Sequence, residues 1–329
     1  MTTLVFTHPS SLAHDTPPGH PERVDRIKAV NAVLASPALR GIVQREAPMG
    51  TDEQARLAHT AEHVLRMRSI SPESGFEYID PDTVMSPAAL HAALAGVGGA
   101  VAGVDAVFRA EADNVFVATR PPGHHAEHNR AMGFCFFNHA AIAAHYARSR
   151  YDAERVAVVD FDVHHGNGTQ DIFWSDADMF YGSTHQMPLY PGSGSSQETG
   201  VGNIFNAPLK AGDGSQEFRE AMNTIILPAL ELFSPDLIII SAGFDAHVRD
   251  PLGSLQLTEE DFSWVTLKLM ETAEQFCSGR IVSVLEGGYD LQGLAASVGV
   301  HVHALVHGDT GMLDEPQDDD STDDYEEEV

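Results

Sequence analysis

Short apolar runs rich in β-branched residues alternate along this chain with longer stretches whose apolar positions recur every three to four residues. The runs Leu4–Thr7, Val115–Thr119, Val156–Phe161, Met179–Ser183, Leu237–Ser241 and Ile281–Leu285 predict strands. Helical spacing predicts helices over Pro21–Leu34, Pro87–Arg109, Asn138–Arg148, Gln216–Phe233, Thr258–Cys277 and Leu291–His307. Strands that alternate with helices predict an α/β fold around a mainly parallel sheet. No Pro/Gly/Ser linker and no internal repeat divides the pattern, so residues 1–313 are expected to form one domain.

Polar, glycine-bearing segments follow four of these strands. They are Arg-Pro-Pro-Gly-His-His-Ala after Val115–Thr119, Asp-Val-His-His-Gly-Asn-Gly-Thr-Gln after Val156–Phe161, Ala-Gly-Phe-Asp-Ala-His after Leu237–Ser241 and Glu-Gly-Gly-Tyr after Ile281–Leu285. Open parallel sheets bind ligands beyond the carboxyl ends of their strands, so the four segments are expected to converge on one site.

Side chains of an extended segment alternate sides, which puts Asp160, Asp162 and His164 on one face. An Asp-x-His pair with a third ligand from another strand makes an open mononuclear metal site, and Asp245 is the candidate third ligand. Asp160, one step deeper, is placed to orient a neighbouring histidine. Eight of the eighteen histidines fall between positions 124 and 185, a density beside strand ends that favours proton handling by His124 and His125. His128, His139 and His145 read as surface or core residues, and His165 faces away from His164. Tyr289 follows two glycines, where a phenol can swing over a pocket and donate to a developing oxyanion; the plain alternative is a packed aromatic.

Charge narrows the possible partners. Nineteen Lys plus Arg stand against forty-eight Asp plus Glu, a formal net charge of −29, which repels phosphate backbones and argues against direct nucleic-acid binding. Ten of those acids crowd into residues 314–329 without a base, predicting a disordered acidic tail. Two cysteines, no signal-peptide pattern at the start and no uninterrupted 18-residue apolar run predict a cytoplasmic, non-membrane protein.

Taken in order, these motifs closely resemble the histone deacetylase superfamily, and within it the bacterial class II-like histone deacetylase-like amidohydrolases and acetylpolyamine amidohydrolases. The resemblance rests on His-Pro-Glu-Arg (20–23), Arg-Pro-Pro-Gly-His-His-Ala (120–126), Gly-Phe-Cys-Phe-Phe-Asn (133–138), Val-Asp-Phe-Asp-Val-His-His-Gly-Asn-Gly-Thr-Gln (159–170), Tyr-Pro-Gly-Ser-Gly (190–194), Ser-Ala-Gly-Phe-Asp-Ala-His (241–247), Asp-Pro-Leu-Gly (250–253) and Leu-Glu-Gly-Gly-Tyr (285–289). It runs from residue 20 to about residue 305. It implies the arginase-deacetylase fold, a single domain with a mainly parallel eight-stranded sheet flanked by helices.

The resemblance also implies roles. Asp162, His164 and Asp245 become ligands of a catalytic zinc, one per chain, for which ferrous iron is a compatible substitute. His125 becomes general base and then general acid, and His124 an electrostatic partner oriented by Asp160. Asn167 falls where some members pair an Asp with the second histidine and class II-like members have Asn, which implies weaker tuning of that base. Tyr289 becomes the carbonyl-polarising phenol. Gly133, Phe134 and Tyr190 would line an acyl-lysine channel with Leu252 near its mouth, and a structural potassium ion is implied near Asp160, Asp162, His164 and Ser183. His139 departs from the Asn or Asp usual after Phe-x-Asn.

The implied activity is hydrolysis of acetyl or other short acyl groups from lysine side chains of peptides and proteins, or from small acetylated amines. Acetylpolyamine hydrolysis is the nearest rival. The eukaryotic polyamine-selective member carries a Glu after the Asp-Pro pair, where this chain has Leu252, which gives a cationic chain nothing to pair with. An arginase-like binuclear manganese ureohydrolase would need extra bridging carboxylates, and Asn167 argues against them. Tyr289 and the two histidines argue against a catalytically dead acetyl-lysine reader.

Overall fold

The computed structural model describes residues 1–311; the predicted acidic tail, 314–329, lies outside the described residues. Ten strands occur among these: β1 (Thr3–Thr7), β2 (Ile42–Glu46), β3 (Glu77–Tyr78), β4 (Val84–Met85), β5 (Asn114–Val117), β6 (Val156–Asp160), β7 (Met179–Gln186), β8 (Ile204–Leu209), β9 (Leu237–Ala242) and β10 (Ile281–Leu285). Eight form one sheet in the order β2-β1-β5-β10-β9-β6-β7-β8, and every neighbouring pair is parallel. β3 and β4 pair as a small antiparallel hairpin. The expected eight-stranded parallel sheet in a single domain is what the chain forms.

The sheet is covered on both faces, which explains why its central strands read as unbroken apolar runs. Along β6, Val156 and Val158 enter one core cluster while Ala157 and Val159 enter the other. Helices Ala89–Phe108 and His139–Tyr151 cover the first face; Val24–Leu34, Glu259–Cys277 and Leu291–His307 cover the second. Ala89–Phe108 is long and apolar enough to cross a membrane, but most of it is buried in this core. Its glycines let it approach the sheet closely: a Cβ on Gly99 would meet Val117 Cγ1 at 2.8 Å.

Besides the small β3-β4 hairpin, two strands escape the apolar-run reading, and both lie at the edges of the eight-stranded sheet. β2 is Ile-Val-Gln-Arg-Glu, largely exposed, and β8 contains Pro208, which an edge strand tolerates and a central one does not. The expected single helix over Gln216–Phe233 is three segments, Ser215–Ala221, a π-type turn Met222–Ile226 and Leu227–Phe233. Pro228 lacks the N–H that a regular helix would need there.

The four segments singled out above follow β5, β6, β9 and β10. These strands are adjacent at the centre of the sheet, in the order β5-β10-β9-β6. Consecutive β5 and β6 are therefore separated by two later strands, an arrangement that opens a crevice at the carboxyl ends.

Candidate active site

The turn after β5 carries His124 and His125, and three anchors hold it. Glu286, at the end of β10, accepts from the backbone N–H of Gly123 at 2.6 Å and of His124 at 3.1 Å. Asn138 caps helix His139–Tyr151 by accepting from Ala141 N, and its amide donates to Ala126 O. Arg120 grips Glu22 with two 2.6 Å bonds. Glu22 also meets Arg26 at 3.2 Å, and Arg26 donates to the carbonyls of Gly288 and Glu286 at 2.6 Å each. A buried ionic network thus joins the histidine turn to the tyrosine turn, with every charge partnered.

The adjacent histidines meet different partners. His124 Nδ1 faces Asp160 Oδ2 at 3.0 Å, whereas His125 Nδ1 faces Asn167 Oδ1 at 2.8 Å. Burial alone would lower the pKa of His124, but the charges of Asp162 and Asp160 raise it well above the usual histidine range. Burial, reinforced by the neighbouring His124 and His164, holds His125 well below that range. Such a split assigns the cation to one ring and the free lone pair to the other.

Asp162, His164 and Asp245 are all buried and offer ligand atoms within 4.8 Å of one another. His164 Nδ1 lies 3.0 Å from Asp162 Oδ1 and 3.1 Å from Asp245 Oδ2. Burial opposes charge on His164, yet its bonds to the two carboxylates push its pKa up to about 10, so the trio is short of positive charge. A divalent cation satisfies that demand, and the oxygen-nitrogen-oxygen donor set fits zinc or ferrous iron. The carboxylates are themselves oriented: Asp245 Oδ1 accepts from Val163 N at 2.8 Å and Asp162 Oδ2 from Gly287 N at 2.9 Å.

A cavity of about 260 Å³ reaches the trio at His164, and is lined by His125, His164 and Tyr289 with Gly133, Phe134, Tyr190 and Leu252; Pro21, Asp82 and Leu189 complete it. A larger hollow of about 440 Å³ near Met1 and Asn114 lies at the opposite ends of the strands, so size alone does not choose the site. Gly133 has φ +56°, and a Cβ there would meet His125 Cγ at 2.7 Å. Phe134 also adopts a left-handed backbone, φ +68°, strain of the kind that clusters at functional sites. Tyr190 meets His125 edge to face with ring centroids 5.2 Å apart, and Phe134 meets Tyr289 in the same way at 6.0 Å.

All the residues expected at the site from the sequence are brought together, and Ser183 pairs in register with Asp160. His165 turns elsewhere, its ring nitrogens facing Ser193 and Gln170. His139 is a core residue, its Nε2 at 3.2 Å from Ala93 O and its ring against the space over Gly96. Glu286, Arg26 and Asp82 join the site without a sequence signal of their own, although Glu286 lies inside Leu-Glu-Gly-Gly-Tyr and Arg26 just beyond His-Pro-Glu-Arg.

Comparison with known proteins agrees with this geometry. Residues 20–305 match the histone deacetylase domain. The chain is 36% identical over 325 residues to a probable deacetylase of Archaeoglobus fulgidus, covering 96% of this chain and 90% of that protein. It is 39% identical over 277 residues to a histone deacetylase-like amidohydrolase of Pseudomonas aeruginosa, covering 82% of this chain and 73% of the relative. The crystal structure of the HDA15 HD domain superposes with a TM-score of 0.88 at 35% identity, covering 93% of this chain and 88% of that one.

Proposed function

The chain belongs to the histone deacetylase family and is a hydrolase of acetylated amides, and from that premise we propose that it is a metal-dependent deacetylase acting on acetylated lysine side chains. The observation that carries this reading is one cavity lined by His125, by the phenol of Tyr289 and by His164, the histidine of the buried Asp-His-Asp trio.

Asp162, His164 and Asp245 would hold the metal, zinc or ferrous iron. When bound, the ion supplies Lewis acidity to a carbonyl and acidity to water. His125, kept neutral by burial and by its neighbours, accepts the water proton and returns it to the departing amine. His124, held by Asp160, keeps positive charge beside the reacting centre. Tyr289 donates a hydrogen bond to the developing oxyanion, and burial raises its pKa well above the usual range, so the phenol stays protonated. The aromatic faces of Phe134 and Tyr190 suit the methylenes of a lysine chain. A monovalent ion at Asp160, Asp162, His164 and Ser183 belongs to the same reading, supported by the in-register pairing of Asp160 with Ser183.

One observation favours a second reading. Asp82 lines the same cavity, and a carboxylate there suits the ammonium of an acetylated polyamine as well as a peptide N–H. The test compares acetate release from an acetyl-lysine peptide and from N-acetylated putrescine and spermidine by zinc-loaded enzyme, with and without a hydroxamate chelator. A peptide preference of about tenfold, worth about 1.4 kcal/mol, supports the first reading. A polyamine preference supports the second, and no turnover on either overturns both.

A further inference from the structure

Behind His125, on the side away from the substrate cavity, lies a second hollow of about 350 Å³ whose wall includes Asn167, Met132, Trp174 and Glu127. Asn167 lines this hollow and meets His125, which lines the substrate cavity. Its Oδ1 lies 2.8 Å from His125 Nδ1, and its Nδ2 donates to Glu127 Oε1 at 2.9 Å. The same Nδ2 faces His125 O at 3.4 Å and Met132 Sδ at 3.3 Å, so every group around that end of the amide is an acceptor.

We propose that Glu127 is a positioning residue that sets the tautomer of His125 through Asn167. A primary amide has nearly the same shape in its two flipped orientations, and only its neighbours distinguish oxygen from nitrogen. Because the carboxylate accepts and does not donate, Glu127 holds the NH₂ end and turns the amide oxygen toward His125. His125 Nδ1 must then carry the ring hydrogen, which leaves the lone pair on Nε2, the form a general base requires. Flipped, the amide would present N–H to Nδ1 and favour the opposite tautomer. Glu127 is itself fixed from the far side, where its backbone carbonyl accepts from His59 Nδ1 at 2.9 Å and its N–H donates to Arg130 O at 2.9 Å.

The catalytic consequence rests on the deacetylase reading; the tautomer does not. Glu127→Ala removes the nearest and only charged one of the three acceptors, whereas Glu127→Gln can keep an oxygen at the same place. In zinc-loaded enzyme, Glu127→Ala should lower kcat by about tenfold to a hundredfold, the cost of one hydrogen bond to a charged group, with KM near its wild-type value. Glu127→Gln should restore most of kcat. Independently, ¹⁵N NMR of ring-labelled histidines should show His125, assigned by its loss in His125→Phe, protonated at Nδ1 in wild type and Glu127→Gln but shifted toward Nε2–H in Glu127→Ala. An unchanged tautomer in Glu127→Ala overturns the proposal, as does an equal loss of kcat in both variants. If wild-type enzyme turns over no acetylated amine, the activity reading fails while the NMR comparison still decides the role of Glu127.

Discussion

The guanidinium carbon of Arg26 lies 4.8 Å from the centroid of the Tyr289 ring. Arg26 also donates to Gly288 O and Glu286 O, so one buried side chain supports both the ring and the glycine-rich backbone that carries it. Asp250 completes the hold by accepting from Tyr289 N at 2.6 Å. Two flexible glycines thus end in a phenol with a defined place in the cavity wall.

That placement gives the first expectation. Tyr289→Phe removes a single donor without emptying the wall, so kcat should fall by about 10²–10³-fold while KM changes little. Steady-state kinetics on an acetyl-lysine peptide checks this. Turnover equal to wild type would remove Tyr289 from the chemistry and leave it a packed aromatic.

Metal binding should track the Asp-His-Asp trio. One such group is found among the described residues, so the loaded protein should hold one divalent ion per chain, and Asp245→Ala should abolish stoichiometric binding. Because the ion binds the folded chain, saturation at about a thousandfold excess over Kd should stabilise it by about 4 kcal/mol. Elemental analysis and thermal melts with and without chelator measure both effects. Two ions per chain would revive the binuclear ureohydrolase reading.

Asp82 should make the recognition of cationic substrates depend on pH. Burial, together with its hydrogen bond to and the charge of Asp80, pushes its pKa up to about 6. The carboxylate is therefore charged above that value and neutral below it. If it pairs with a polyamine ammonium, KM for N-acetylspermidine should rise as pH falls from about 7 to about 5, with no matching rise for an uncharged acetyl-lysine amide. Asp82→Asn should remove the difference between the substrates. A difference that persists in the variant would place cation recognition elsewhere.

The central sheet was legible because β5, β6, β9 and β10 are buried on both faces and are apolar along most of their length. Edge strands β2 and β8 lack that signature, since one side of each meets solvent or a loop. The metal trio and the paired histidines were legible because each lies in the segment that directly follows a central strand. The supporting residues were not. Arg26 acts on a carbonyl 262 positions away and Glu286 on an N–H 163 positions away, and neither pairing leaves a local spacing to read. Glu127 stands two residues from His125, yet its link runs through Asn167, 40 positions on, so adjacency in sequence gave no hint.

His139, the departure from the motif, should make the fold sensitive to acid. Burial pushes its pKa down to about 4, and burial likewise holds His59 and His301 at about 3. In the unfolded chain each would titrate near about 6.5, so between that value and its folded pKa the unfolded state binds the extra proton. Stability contributed by these groups is therefore complete above about pH 6.5 and lost as pH falls, by about 1.4 kcal/mol per pH unit for each histidine. His139→Asn should lower stability at neutral pH by loss of packing against Ala93 and Gly96, but should also flatten the dependence between about pH 6 and about pH 4.5 by that same slope. Urea melts across this range, wild type against variant, measure the slope directly. Equal slopes would mean that His139 takes up its proton in the folded state as readily as in the unfolded chain, with its ring open to water instead of sealed between the helix and the histidine turn.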